Sequence, residues 1–340
     1  MTSTRIPRKL ALTLTLALAS AAFLPSGSPF LAQVHAQASA PAQEAPPAAA
    51  GSPVRITVTA MSKAKNQEPP ALEKGDFLVY EDRNKTPRPI TNVIAQKGED
   101  NKLDFYIVVD NGIDTDVTLN YPELGAFVRE LPTTARVGVL YANNGTFTIR
   151  QDLTSDRDAA LKTLAIPNGQ IGVGGGIFLS LVDLAKRLPP IPNRRYAILF
   201  LSSGIDTFRG LRSTAAGLNT DLDLAVDRLN RAGITVYSIF VSPAAHFARS
   251  FFLVTNGQSC LSRLADETGG EAYFQGFGTP ISMKPFLEEM GRHLSNQYLV
   301  TFAAKPRKKP GYAGIKVRTE MSGVELDNPS EVYVTVPGSK

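Results

Sequence analysis

The chain has 340 residues, with 36 Lys and Arg against 31 Asp and Glu, 43% hydrophobic content and one cysteine. Arg5, Arg8 and Lys9 carry three of the charges behind the net +5, and the +2 left without them is too near neutral to point to nucleic acid or an anionic membrane surface. The hydrophobic content excludes wholesale disorder, and the lone Cys260 excludes an intrachain disulfide or a CxxC metal or redox motif.

In chain order, residues 1–38 read as an export signal: Arg5, Arg8 and Lys9, then the uncharged run Leu10–Leu24, then a small-residue cleavage pattern, Ala36-Gln37-Ala38. The run has 15 residues, and a membrane-spanning helix needs roughly 20. Export to the periplasm or exterior, with release, is therefore expected over retention as an anchor. No later stretch is long and apolar enough to span a bilayer. Residues 39–53, rich in Ala and Pro, read as a solvated spacer.

A small β unit is expected over 54–98. Val54–Thr59 alternates with period two, Phe77–Asp82 is a second strand, and Ile90–Ile94 a third after the Asp82–Lys85 turn. From Leu103 the pattern changes. Apolar runs at Leu103–Asp110, Arg136–Ala142, Arg195–Leu201 and Thr235–Val241 suit strands buried on both faces of a parallel sheet. Helical spacing lies between them, at Tyr121–Leu131, Asp156–Leu164, Phe178–Leu188, Leu222–Ala232, Cys260–Thr268 and Ile281–Ser295. Thr146–Arg150 is expected to pair as a hairpin across Asn143-Asn144-Gly145, and Tyr298–Phe302 to be the last strand of this domain. The alternation predicts an α/β domain over 103–303, with a doubly wound, mostly parallel sheet. A β segment, 304–340, follows it.

Ligands of an open parallel sheet bind beyond the carboxyl ends of its strands. The residues there are Asp110-Asn111-Gly112-Ile113-Asp114, Ser202-Ser203-Gly204-Ile205-Asp206, and Gly172–Gly176 before a helix. Asp110-Asn111, Gly174-Gly175-Gly176, Ser202-Ser203-Gly204 and Ala265–Gly270, in that order, resemble the landmarks of von Willebrand factor type A domains. The segments Leu72–Asp82 and Asn296–Val300 resemble the β flanks of a secreted bacterial subfamily.

The resemblance implies a metal-ion-dependent adhesion site for Mg²⁺ or another divalent cation. It would be built on Asp110, Asp114 and Ser203. Gly112 stands where the first loop should place a serine, Asp114 where the second belongs, and Ser203 where the third loop should place an aspartate. These changes leave fewer oxygens than such ions ordinarily take, so a degenerate site and no cofactor are expected. The resemblance further implies a non-enzymatic binding or scaffolding role. A protein partner would meet the upper loops around Asn111, Gly176 and Asp206.

The alternatives are a secreted hydrolase using Ser202 or Ser203, or a purely structural envelope module. The serines lack GxSxG flanks, and the histidines after the signal are His246 and His293. Gly172–Gly176 lacks the lysine and hydroxyl of a phosphate loop. Cys260 is read at the head of a helix, and the Phe247–Gly257 stretch as a connection packed on the sheet. Lys305–Lys309 reads as a solvated basic turn.

Overall fold

The computed structural model describes residues 51–64, 67–168, 175–244 and 250–336. The signal segment 1–38, residues 39–50 of the spacer, Gly172–Gly174 and His246 lie outside the described residues.

The elements run β1 (Pro53–Ser62), β2 (Leu78–Glu81), β3 (Ile90–Ala95), β4 (Leu103–Asp110), α1 (Tyr121–Glu130), β5 (Arg136–Asn143) and β6 (Thr146–Thr154). They continue through α2 (Arg157–Leu161), α3 (Ile177–Arg187), β7 (Arg195–Ser202), α4 (Thr220–Ala232), β8 (Ile234–Phe240) and α5 (Phe251–Thr268). Last come β9 (Ala272–Tyr273), α6 (Lys284–Ser295), β10 (Gln297–Ala303), β11 (Gly311–Arg318), β12 (Val324–Asp327) and β13 (Glu331–Val334).

Six strands form the central sheet in the order β6-β5-β4-β7-β8-β9. All its pairings are parallel except that of β6 with β5. Successive side chains of a strand point to opposite faces, and both faces here are covered. On β4, Phe105, Ile107 and Val109 pack with α1 and α6, while Tyr106 and Val108 pack with α3, α4 and α5. That two-sided burial is why β4 and β7 read as unbroken apolar runs. The helices end where the sequence marks it. Gly233 closes α4 in the left-handed conformation, φ 69°, and Pro189 follows α3.

Tyr298–Phe302 is not the last strand of the central sheet. As β10 it pairs antiparallel with β1 (Ile56 opposite Val300) and with β3. The sheet β12-β1-β10-β3 faces a second, β13-β11-β2, and they enclose one core containing Val58, Phe77, Val300, Phe302 and Val317. The expected front and rear β units thus fold as one sandwich, with the chain leaving it at β4 and returning at β10. A thin sheet of a few strands gains a buried face by this pairing.

The sandwich seals the amino end of the central sheet. Arg195, at the start of β7, is 2% exposed and donates to the Leu294 carbonyl (2.9 Å) and Gln297 Oε1 (2.6 Å). Gln297 in turn donates to Tyr237 Oη (3.0 Å) and Thr59 Oγ1 (3.3 Å), tying β8 to β1. Asp104, also at this end, is fully buried and carries Arg136 at 2.6 Å and Arg194 at 2.9 Å.

Candidate functional site

Parallel neighbours that start in register also finish side by side. Val109 lies opposite Leu201, so β4 and β7 deliver Asp110 and Ser202 to the same rim. The Asp110 carboxylate accepts the Gly112 N–H on Oδ1 (2.8 Å) and the Ser202 hydroxyl on Oδ2 (2.8 Å). Ser202 Oγ accepts the Gly204 N–H at 3.0 Å. Burial pushes the Asp110 carboxyl up to about 6; the hydrogen bonds from Gly112 and Ser202 pull it down, and nearby Asp206 raises it.

Gly204 turns the chain away from β7 with φ 66°, against α5. A Cβ at Gly204 would stand 2.2 Å from the Gly257 carbonyl oxygen, so only glycine lets these two backbones meet. This turn brings Asp206 inward, 2% exposed. Its Oδ1 accepts the N–H groups of Phe208 (2.9 Å) and Gly176 (3.0 Å), while its Oδ2 is buried without a hydrogen-bond partner among the described residues. Gly176 holds φ 77° at the head of α3 and closes on the Asn144-Gly145 hairpin turn. Three loops therefore converge through Asp110, Ser202, Asp206 and Gly176.

The other expected residues have local duties. Asn111 is buried, and its N–H donates to the Ala142 carbonyl at 3.1 Å. Asp114 caps a short 3₁₀ helix, Thr115–Asn120, by accepting the Asp116 N–H at 3.1 Å, and its own N–H goes to the Ser242 carbonyl. Ser203 is buried and accepts the Ile205 N–H at 3.3 Å. The residues the resemblance implies for a divalent cation do not fit one. Gly112 offers no side-chain oxygen, Asp114 is engaged in its cap and Ser203 in its own turn. The buried carboxylate oxygen without a partner among the described residues belongs to Asp206 instead.

Ser202 is fully buried and bonded on both sides, which leaves no exposed hydroxyl for attack on a substrate. His293 sits in the last turn of α6, edge-on to Tyr237. Cys260 does not head a helix. α5 begins at Phe251, and Cys260 lies buried at mid-length with its thiol donated to the Thr214 carbonyl and pushed up to about 12 by burial.

The sequence reading missed the apolar character of this rim. Phe251 and Phe252 are not packed on the sheet: they are 68% and 62% exposed on the first turn of α5, while Leu253 and Val254 supply the buried face. Phe208 is 57% exposed and Ile281 94%, and Leu119, Leu211 and Phe277 are exposed too. All seven residues follow the carboxyl ends of β4, β7, β8 or β9, and Phe251 meets Phe277 at 4.9 Å between ring centres. A signal was available for Phe208, Leu211 and Phe277, set singly among Gly, Arg and Thr where no periodicity assigns them a core, but not for the adjacent Phe251 and Phe252.

No known protein family and no curated protein matches the chain. Among solved structures it is similar to BatB from Bacteroides thetaiotaomicron, a conserved hypothetical protein, at 13% identity and TM-score 0.43, covering 57% of this chain and 97% of that one. An aerotolerance-related membrane protein from Bacteroides fragilis matches at 12% identity and TM-score 0.41, over 57% and 98%. The SpRpn10 VWA domain matches at 9% and 0.36, over 55% and 93%. The strand order itself, with one antiparallel edge strand and helices on both faces, makes the body of this chain a von Willebrand type A-like α/β fold.

Proposed function

We propose that this chain is an exported, non-enzymatic binding module that grips a protein partner with the carboxyl rim of its central sheet. The observation that carries the reading is the set of exposed apolar side chains, Phe208, Leu211, Phe251, Phe252, Phe277 and Ile281, in the segments that follow the carboxyl ends of β7, β8 and β9, with Phe251 against Phe277. Solvent-facing apolar groups gathered on one surface mark interaction sites, and aromatic anchors dominate such interfaces. At the same rim, Asp110, Ser202 and Asp206 brace the loops, and partner capture is independent of a divalent cation. Export rests on the charged, apolar and small-residue pattern of residues 1–38. Among the described residues no helix is long and apolar enough to cross a membrane.

The test is capture of partners from envelope extract by the tagged protein, with and without EDTA, against the double variant Phe208→Asp/Phe251→Asp. Both side chains are largely exposed, so the substitutions should shift stability by no more than about 0.5 kcal/mol each. A partner retained in EDTA and lost by the variant is the expected result. Capture abolished by EDTA would restore a metal-dependent rim, and capture indifferent to the variant would move the interface elsewhere. Labelling of Ser202 or Ser203 by a fluorophosphonate would overturn the non-enzymatic reading.

A further inference from the structure

A second surface lies at the opposite end of the central sheet. Where the carboxyl ends of α3 and α4 meet the sandwich there is a cleft of about 730 Å³, within the range of sites that hold a drug-sized ligand or a short peptide. Its lining contains four cations, Arg55, Lys186, Arg228 and Arg231, and no Asp or Glu. Arg157 and Arg195 bond uncharged oxygens, but several other arginines do sit on carboxylates, as Arg136 and Arg194 do on Asp104 and Arg88 and Arg307 do on Glu81. None of the four cleft cations makes such a pair among the described residues.

Helix ends explain two of them. Lys186 and Arg231 lie in the last turns of α3 and α4, where the partial negative charge of the carbonyls favours cations. Arg55 and Arg228 have no such account. Arg55 comes from β1 and spends one nitrogen on the Ile191 carbonyl (2.7 Å). Arg228, which feels the charge of the adjacent Asp227, has its Nε buried without a hydrogen-bond partner among the described residues. A guanidinium that lines a cleft without a carboxylate of its own there suits an incoming carboxylate, which it can hold in two-point geometry. Asp227 and Glu331, the sequence neighbours of Arg228 and Val332, do not line the cleft.

The remaining wall is mostly apolar, with Leu188, Pro189, Pro190 and Val332 beside Tyr333, and carries the polar Asn230 and Thr335. A small inorganic anion would leave that wall uncovered. A sugar would lack a stacking platform: the Tyr333 ring already carries the Arg231 guanidinium at 4.2 Å and meets the Tyr312 ring at 5.2 Å. We propose that this cleft binds an acidic peptide segment of a partner protein, with carboxylates on Arg55 and Arg228 and apolar side chains against Pro189, Pro190 and Val332.

The experiment measures fluorescence polarisation of a labelled short peptide alternating Glu and Val on the full chain. Its controls are the same peptide with Gln for Glu, inorganic phosphate and heparin. Expected are saturable binding of the Glu peptide, weakened by salt, and an affinity about tenfold lower for Arg228→Gln. Arg228→Lys should keep part of that affinity by retaining the charge. Lys186→Gln, at an exposed position, gives a second reading if Arg228→Gln lowers the melting temperature. Equal binding of the Gln peptide, tighter binding of heparin or phosphate, or indifference to both charge-removing variants would overturn the proposal.

Discussion

The two ends of the central sheet treat buried charge in opposite ways. At the amino end Asp104 is fully buried and gripped by two arginines, and Arg195 gives both its Nη groups to carbonyl and amide oxygens, its Nε having no partner among the described residues. At the carboxyl end Asp110 and Asp206 are equally buried, yet no cation pairs with either among the described residues. Backbone N–H groups and one hydroxyl hold them, one oxygen of Asp206 is left over, and aromatic residues stand exposed in the segments after the strands. Sequences relax their own stability rules mostly where a site is needed. The amino end pairs its buried carboxylate with cations, and the carboxyl end leaves its two without one among the described residues.

Breaking the pairing at the amino end should have the largest effect. Asp104→Ala leaves two arginines without their carboxylate; removing one partner of a buried pair costs about 3–5 kcal/mol, and the partial exposure of Arg136 places this case near the lower figure. Urea denaturation should show the midpoint fall at unchanged slope.

The carboxyl end should respond with the other sign. Because burial lifts Asp110 to about 6, the folded protein holds this proton more tightly than the unfolded chain between about pH 4 and 6. The resulting destabilisation is absent at lower pH, grows through that window and is complete above it. Asp110→Asn keeps an acceptor for Gly112 and can donate to Ser202. It should therefore stabilise the protein at pH 7.5 by about 1–3 kcal/mol and flatten stability between pH 4 and 6. A destabilised Asn variant with an unchanged pH profile would mean that the two ends do not differ as described.

The smallest change comes at the head of α3. Gly176→Ala puts a Cβ on a left-handed residue 3.0 Å from the Gly145 nitrogen, and should cost about 1–2 kcal/mol. Thermal melts would register it. A neutral result would show that the loop relaxes and that Asp206 does not depend on the Gly176 N–H.

Much of this was legible beforehand. The apolar runs ending in Asp110 and Ser202 read as strands buried on both faces, and parallel strands must bring their carboxyl ends to one rim. Gly233 and Pro189 marked helix ends by backbone chemistry that acts locally. β10 was not legible as a sandwich strand, since Tyr298–Phe302 is apolar enough for either sheet and its partners β1 and β3 lie some two hundred residues earlier in the chain. α5 was cut short because Phe251 and Phe252 break the apolar spacing that defines a helix face. They point outward, and only the packed neighbours reveal that.

The sequence by itself determined most of the strands and helices, though not the start of α5 or strand β12, because period, caps and turn residues act over a few positions. It also placed Asp110, Ser203, Gly176 and Asp206 near one rim through the order of the strands. Tertiary structure alone decided that Asp114 caps its own turn, that the Ser202 hydroxyl reaches Asp110, that an oxygen of Asp206 is left open, and that four cations share a cleft without an acid. Those outcomes depend on distances between residues far apart in the chain, which no local pattern encodes.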